Sequence, residues 1–158
     1  MKNKVTDIDN SSPEELYNKA DKLLLTSKYS EAIELFSKLS QEYPYSTLST
    51  KAQVMEIYCY YMKRDYDMAI DVADDFVKIH PANRYVSYIL YLKTLSYYEQ
   101  MRGIDYDQKI TNLTKDSAIN LINRFPNTKY ARDFSFKLDL INDYLAGKEM
   151  SIGRFYMH

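Results

Sequence analysis

Tryptophan is absent from this 158-residue sequence, cysteine occurs once, glycine three times and proline four times. So little glycine and proline leaves few positions for tight turns, which argues against a turn-rich β-protein and for helices. The lone Cys59 closes no intrachain disulfide and has no second thiol for a metal site, so it does not report the redox compartment. No apolar run approaches the roughly 18 residues that a spanning helix needs. The opening "MKNKVTDIDN" starts basic but continues polar where a signal peptide would place its apolar core. The chain as written is therefore expected to carry neither an export signal nor an anchor. Neither charge dominates: 21 Lys and Arg against 22 Asp and Glu give a net charge of −1, which recommends neither nucleic acid nor an anionic membrane as partner.

What the sequence has in quantity is tyrosine, 17 of them, each with an apolar body and a polar tip that suits both helix packing and wet binding surfaces. It also has a repeated phrase. "SKYSEAIELFSKLSQEYP" returns as "RDYDMAIDVADDFVKIHP", with Tyr29 and Tyr66, Ala32 and Ala69, Ile33 and Ile70, and Pro44 and Pro81 each 37 residues apart. The same step from Ala20 reaches Ile57 and then Thr94, each within an apolar helical run. Pro126 follows Pro81 by 45, and the extra eight residues match the loop-like "RGIDYDQK" in length. A period in the thirties with small residues at fixed positions is the mark of stacked helix-turn-helix repeats. Neither helix pair can hide its apolar face alone, so neighbours stack.

Local signals place the helices. Ser12-Pro13-Glu14-Glu15 reads as an N-cap serine, a proline at the first helical position and a capping-box glutamate. The first helix carries Leu16, Ala20, Leu23 and Leu24 on one face, and the second runs from the "TSKYS" turn to about Tyr43, where Pro44 stops it. Further helices are expected over about 49–63, 66–79, 84–101, 107–125 and 129–146, the last ending at Gly147. An eighth would start near Glu149 and present Met150, Ile152, Phe155 and Tyr156, with its partner helix beyond His158, so residues from Gly147 onward are expected to fray or to cover themselves by pairing with another copy in a crystal. The expectation is an all-α, tetratricopeptide-like helical-repeat solenoid of about seven to eight helices. A disordered segment would cover 1–12, and the domain 13–158 would hold repeats at about 13–46, 50–83 and 84–127 and a partial one at 128–158.

Catalytic, cofactor and metal constellations are not found. His80, before Pro81, reads as a helix-end residue that caps carbonyls and favours the dipole. Cys59, mid-helix between tyrosines, reads as an inert buried thiol. Asp105 and Asp107 suggest a calcium loop, but Lys109 holds a ligand position and Ile110 the place of the required glycine. Asp74-Asp75 reads as a solvated helix face. No Gly-rich phosphate loop, zinc-protease motif or serine elbow occurs, so no enzyme and no cofactor are expected. The first helix of each pair lines the inner face of such repeats. With Ala20, Ile57 and Thr94 as equivalent core positions, the groove-facing set is Tyr17, Leu24, Val54, Tyr58, Tyr61, Tyr88, Tyr91 and Tyr98. These residues form either an aromatic trough for an extended peptide or part of the core, since aromatics at helical spacing also serve as packing and the third helix has two phases.

From about Ser12 to His158 the sequence resembles the BamD (ComL) family of outer-membrane assembly lipoproteins. "ELYNKADKLLLTSKYSEAIELFSKLSQEYPYS" is similar to that family's first repeat, "IYCYYMKRDYDMAIDVADDFVKIHP" to its second and "YVSYILYLKTLSYY" to the helix opening its third, while "NRFPNTKYARD" and "EMSIGRFYMH" resemble later helices. The resemblance implies a non-enzymatic component of the machine that inserts β-barrel proteins into the outer membrane of a Gram-negative bacterium. It implies a place on the periplasmic face, held by lipid on an N-terminal cysteine after signal removal. It further implies N-terminal repeats that receive the C-terminal sorting segments of unfolded barrel proteins, and C-terminal repeats that dock on the barrel-forming subunit BamA. Two departures bear on this: the anchor cysteine and signal are missing, and the chain stops where the family continues into its docking repeats. The rival expectations are a different periplasmic tetratricopeptide adaptor of the Tol-Pal coordinator type, and a rigid spacer without a ligand.

Overall fold

The computed structural model describes residues 10–157, with side chains through Gly147. Within them lie seven α-helices and no strand: α1 (Pro13–Leu25), α2 (Tyr29–Glu42), α3 (Thr47–Met62), α4 (Tyr66–Ile79), α5 (Val86–Gly103), α6 (Gln108–Arg124) and α7 (Lys129–Met157). The architecture is all-α and tetratricopeptide-like, as the 37-residue period predicts. The chain divides into two compact units, Met1–Ser96 and Tyr97–His158.

In the first unit, α1 starts as expected. The Glu15 amide donates to Ser12 Oγ at 3.1 Å, and the Ser12 hydroxyl in turn donates to the Glu15 carboxylate at 3.2 Å. The expected disorder over 1–12 falls mostly on residues outside the description; of those described, Ser11 is buried and its carbonyl accepts the Tyr43 hydroxyl at 2.6 Å. Leu16, Ala20, Ala32, Ile33, Phe36 and Leu39 join Ala52 and Cys59 in one core. Burying each large member stabilises the unit by about 1.5–3 kcal/mol. Ala32 and Ala69 are fully buried, which lets the second helix of each pair lie close to its neighbours. Tyr29 packs on this core beside the turn it follows, and Tyr66 meets Tyr61 with ring centroids 5.9 Å apart.

The turns within the first two pairs are built alike. Lys28 N–H donates to the Leu23 carbonyl at 2.8 Å and Ser27 N–H to Leu24 at 3.0 Å, while Asp65 and Arg64 repeat the pattern onto Tyr60 and Tyr61 at 2.9 and 3.0 Å. These paired bonds form the Schellman helix end, which requires a left-handed residue. Ser27 (φ 60°) and Arg64 (φ 69°) supply it, 37 residues apart and without glycine. Before each proline the helix closes on a residue that has left the helical region, with ψ 58° at Tyr43 and 61° at His80, in line with the clash between a proline ring and a helical predecessor. The Tyr43 and His80 amides donate to Leu39 and Phe76.

In the second unit α6 packs against α7. Met101, Ala118, Leu121, Ala131, Phe134 and Ile141 are buried there. Thr114, 45 residues after Ala69, takes the place of the small residue and satisfies its hydroxyl on the Ile110 carbonyl at 2.8 Å. Tyr106 stacks on Tyr144 at 4.1 Å, and the Tyr144 hydroxyl donates to Asp105 at 3.2 Å. One expected boundary is corrected: α7 does not end at Gly147 but runs through it to Met157. A glycine inside a helix costs only about 1 kcal/mol relative to alanine, and no capping turn is present to stop the chain. The expected fraying concerns residues whose side chains lie outside the description.

Candidate functional site

Two first-of-pair helices and the turn ahead of a third carry aromatic and cationic groups in the first unit. Tyr17 on α1 is half-buried, its ring meeting the fully buried Phe36 edge-on at 5.4 Å. Lys51, exposed on α3, holds its ammonium 5.2 Å from the centre of the same ring. Burial pushes the Tyr17 phenol above its ordinary value; Lys51 opposes this by charge and hydrogen bond, and Asp21 and Tyr85 add to it. Tyr85, just ahead of α5, accepts a hydrogen bond on its hydroxyl from the Arg84 guanidinium at 2.8 Å, and that guanidinium also lies 4.8 Å from its ring centre. The first unit thus carries two cations, each held over a half-buried ring. Rings of this kind grip aliphatic side chains, while the cations suit carboxylates.

Of the residues expected to line a trough, Tyr17, Leu24, Tyr58, Tyr61, Tyr88 and Tyr91 are half-buried. Tyr17 and Leu24 also pack on the core of the first helix pair. Burial raises the Tyr58 phenol, with Tyr29 and then Cys59 adding to it. Val54 is only 3% exposed and stands in the core instead of presenting itself to a ligand. The reason is that α3 packs against both α2 and α4, so its apolar positions occupy two faces and not one stripe. Tyr98 belongs to the second unit, where it is 9% exposed and meets Phe134 edge-on at 6.2 Å, with Arg102 and Lys137 over its ring. Lys51, Arg84 and Tyr85 escaped the sequence reading because a search for apolar spacing passes over charged residues and residues just ahead of a helix.

The remaining titratable groups behave as packing. Cys59 is fully buried, and burial, followed by Glu56, pushes its thiol up to about 12, far from a reactive thiolate. The His80 ring lies 5.0 Å from Phe76 and the cap is made by its backbone amide. Asp74 pairs with Lys93 at 2.6 Å. Among the described residues no group of three or more His, Cys, Asp and Glu side chains could hold a metal ion, and no helix is long and apolar enough to cross a membrane.

The sequence matches the outer membrane lipoprotein family YfiO over residues 9–158. The chain belongs to this family. Similar proteins named outer membrane protein assembly factor BamD occur in Rickettsia prowazekii (45% identical, covering 90% of this chain and 57% of the relative) and Caulobacter vibrioides (38%, covering 90% and 47%). Another, in Neisseria meningitidis serogroup B, is 31% identical and covers 92% of this chain and 58% of its own length. The chain therefore spans about half the length of the curated relatives it matches. The YfiO match reaches from just before the first described residue through α7, so the tyrosine- and cation-bearing surface lies inside the shared region.

Proposed function

We propose that this chain is a non-enzymatic, protein-binding scaffold of the outer-membrane β-barrel assembly machinery, on the periplasmic face of the outer membrane of a Gram-negative bacterium. In this reading the first unit receives the C-terminal sorting segments of unfolded outer-membrane proteins in extended form. In the same reading the protein is held by a lipid anchor and docks on BamA and the other subunits. Two things support it: membership of a family whose relatives are named as assembly factors, and the meeting of Tyr17 on α1 with Lys51 on α3, with Arg84 and Tyr85 paired in the turn ahead of α5. Half-buried tyrosines offer rings to the ligand's apolar side chains and hydroxyls to its backbone, and Lys51 and Arg84 attract its carboxylates.

The test is titration of the protein with a peptide ending in a barrel protein's C-terminal sorting segment, followed by fluorescence anisotropy. Tyr58→Ala and Tyr91→Ala should each weaken binding by about 1 kcal/mol or more, and Lys51→Ala by a smaller, salt-dependent amount. Urea melts of each variant give the folded fraction. Unchanged affinity per folded molecule in both tyrosine variants would assign the rings to packing and end the proposal.

A further inference from the structure

The outer side of the first helix pair carries a second, separate feature. Lys19, Lys22, Leu23 and Thr26 of α1 and its cap, with Leu35 of α2, enclose an open cavity of about 350 Å³. Leu23 and Leu35 are half-buried and pack on the core beneath it. Lys19 and Lys22 are exposed and make no ion pair among the described residues.

The repeat shows what the equivalent positions contact. One period of 37 residues further on, Lys22 corresponds to Cys59 and Leu23 to Tyr60, and both pack against the preceding helix pair, Cys59 fully buried. Two periods on, Lys19 corresponds to Lys93, whose ammonium pairs at 2.6 Å with Asp74 on α4, the second helix of the preceding pair. The architecture thus covers this side of a first-of-pair helix with a preceding helix, and in the one described case that helix brings a carboxylate to the position of Lys19. Among the described residues nothing covers this side of α1, where Lys19 and Lys22, in no ion pair there, flank apolar walls.

We propose that the cavity beside Leu23 and Leu35 is a docking site for an amphipathic, acidic helix of a partner protein. That helix lies where a preceding repeat would lie, inserts one apolar side chain between the two leucines and sets a carboxylate against Lys19. Charge complementarity selects this occupant: the exposed rim is cationic, and the internal Lys93–Asp74 pair supplies the geometry. The site is separate from the tyrosine surface, so either assignment stands or falls alone.

The experiment places a photo-cross-linking amino acid at the exposed Thr26 of the full-length protein in its own cells and identifies the cross-linked peptide by mass spectrometry. The expected product is one segment of another protein, helical, with an Asp or Glu within one turn of the attached residue. Lys19→Glu should lower its yield about fivefold or more, and exchanging the partner's acidic residue for lysine should restore it. Circular dichroism of Lys19→Glu, a change at an exposed site, keeps misfolding apart from lost docking. Attachment to residues 1–9 of this chain, to a second copy, or to an extended or non-acidic segment would overturn the proposal. So would a yield no higher than from an exposed control position, or one indifferent to the charge exchange.

Discussion

Glu56 should make the first unit less stable as pH rises through neutrality. It lies half-buried on α3, and burial alone raises its carboxyl from 4.5 to about 7. Its equivalents one period away on either side are Lys19 and Lys93, and Lys93 has Asp74 as partner. The residue 37 before Asp74 is the neutral Ser37, and burial is the only influence on the Glu56 carboxyl among the described residues. Its folded-state value lies above its unfolded one, so between 4.5 and about 7 the folded chain binds the extra proton. The group's contribution is therefore fully favourable below 4.5 and is lost as pH rises through 7. The displacement sets an upper bound of about 3 kcal/mol, which water at a half-buried site reduces to about 1–2 kcal/mol. Glu56→Gln keeps the shape and removes the charge. Thermal melts followed at 222 nm should show the variant level with the parent at about pH 4 and higher in Tm by about 3–6 °C at about pH 8.5. A difference of the same size at both pH values, or a variant less stable at the higher one, would refute the account.

Three further outcomes follow from named contacts. Arg64 holds a left-handed backbone that costs a side-chain-bearing residue about 1 kcal/mol, so Arg64→Gly should raise the urea midpoint by a corresponding amount. Phe36 is fully buried under the edge of Tyr17, and Phe36→Ala should cost about 3–5 kcal/mol in the same denaturation assay. A Cβ at Gly147 meets nothing within 4 Å, and its φ is not positive; Gly147→Ala should therefore slow amide exchange in α7, by up to about 1 kcal/mol of opening free energy.

The elements whose ends were legible are those ended by a chemical constraint. Pro44, Pro81 and Pro126 each follow a residue, Tyr43, His80 or Phe125, that closes the preceding helix on the carbonyl four residues back. Proline disfavours the helical conformation of its predecessor by a local steric clash that needs no tertiary partner, so these ends could be read without a structure. Gly147 shows the opposite case. Glycine permits a helix end without imposing one, and the choice falls to packing and capping that the sequence does not display. The turns at Ser27 and Arg64 were placed by the period, but their left-handed residues carry no glycine to announce them.

The candidate surface was half legible, because a period equates backbone positions while exposure depends on how far each side chain reaches. Tyr17, Val54 and Tyr91 stand 37 residues apart and were expected to act alike. The tyrosines are half-buried, whereas Val54 is 3% exposed. A valine at such a position ends beneath its neighbours, but a tyrosine carries its ring and hydroxyl past them toward water. The helix face is then supplied from one turn earlier on α3, by Lys51, whose ammonium reaches the Tyr17 ring. A search for repeated aromatics finds Tyr17 and Tyr91 and extends the same role to Val54. It misses Lys51, because the substitution that removes a ring from the row and the cation that occupies its place lie at different repeat positions. Only the side chains of adjacent helices, taken together, show that the aromatic row is continued by a charge.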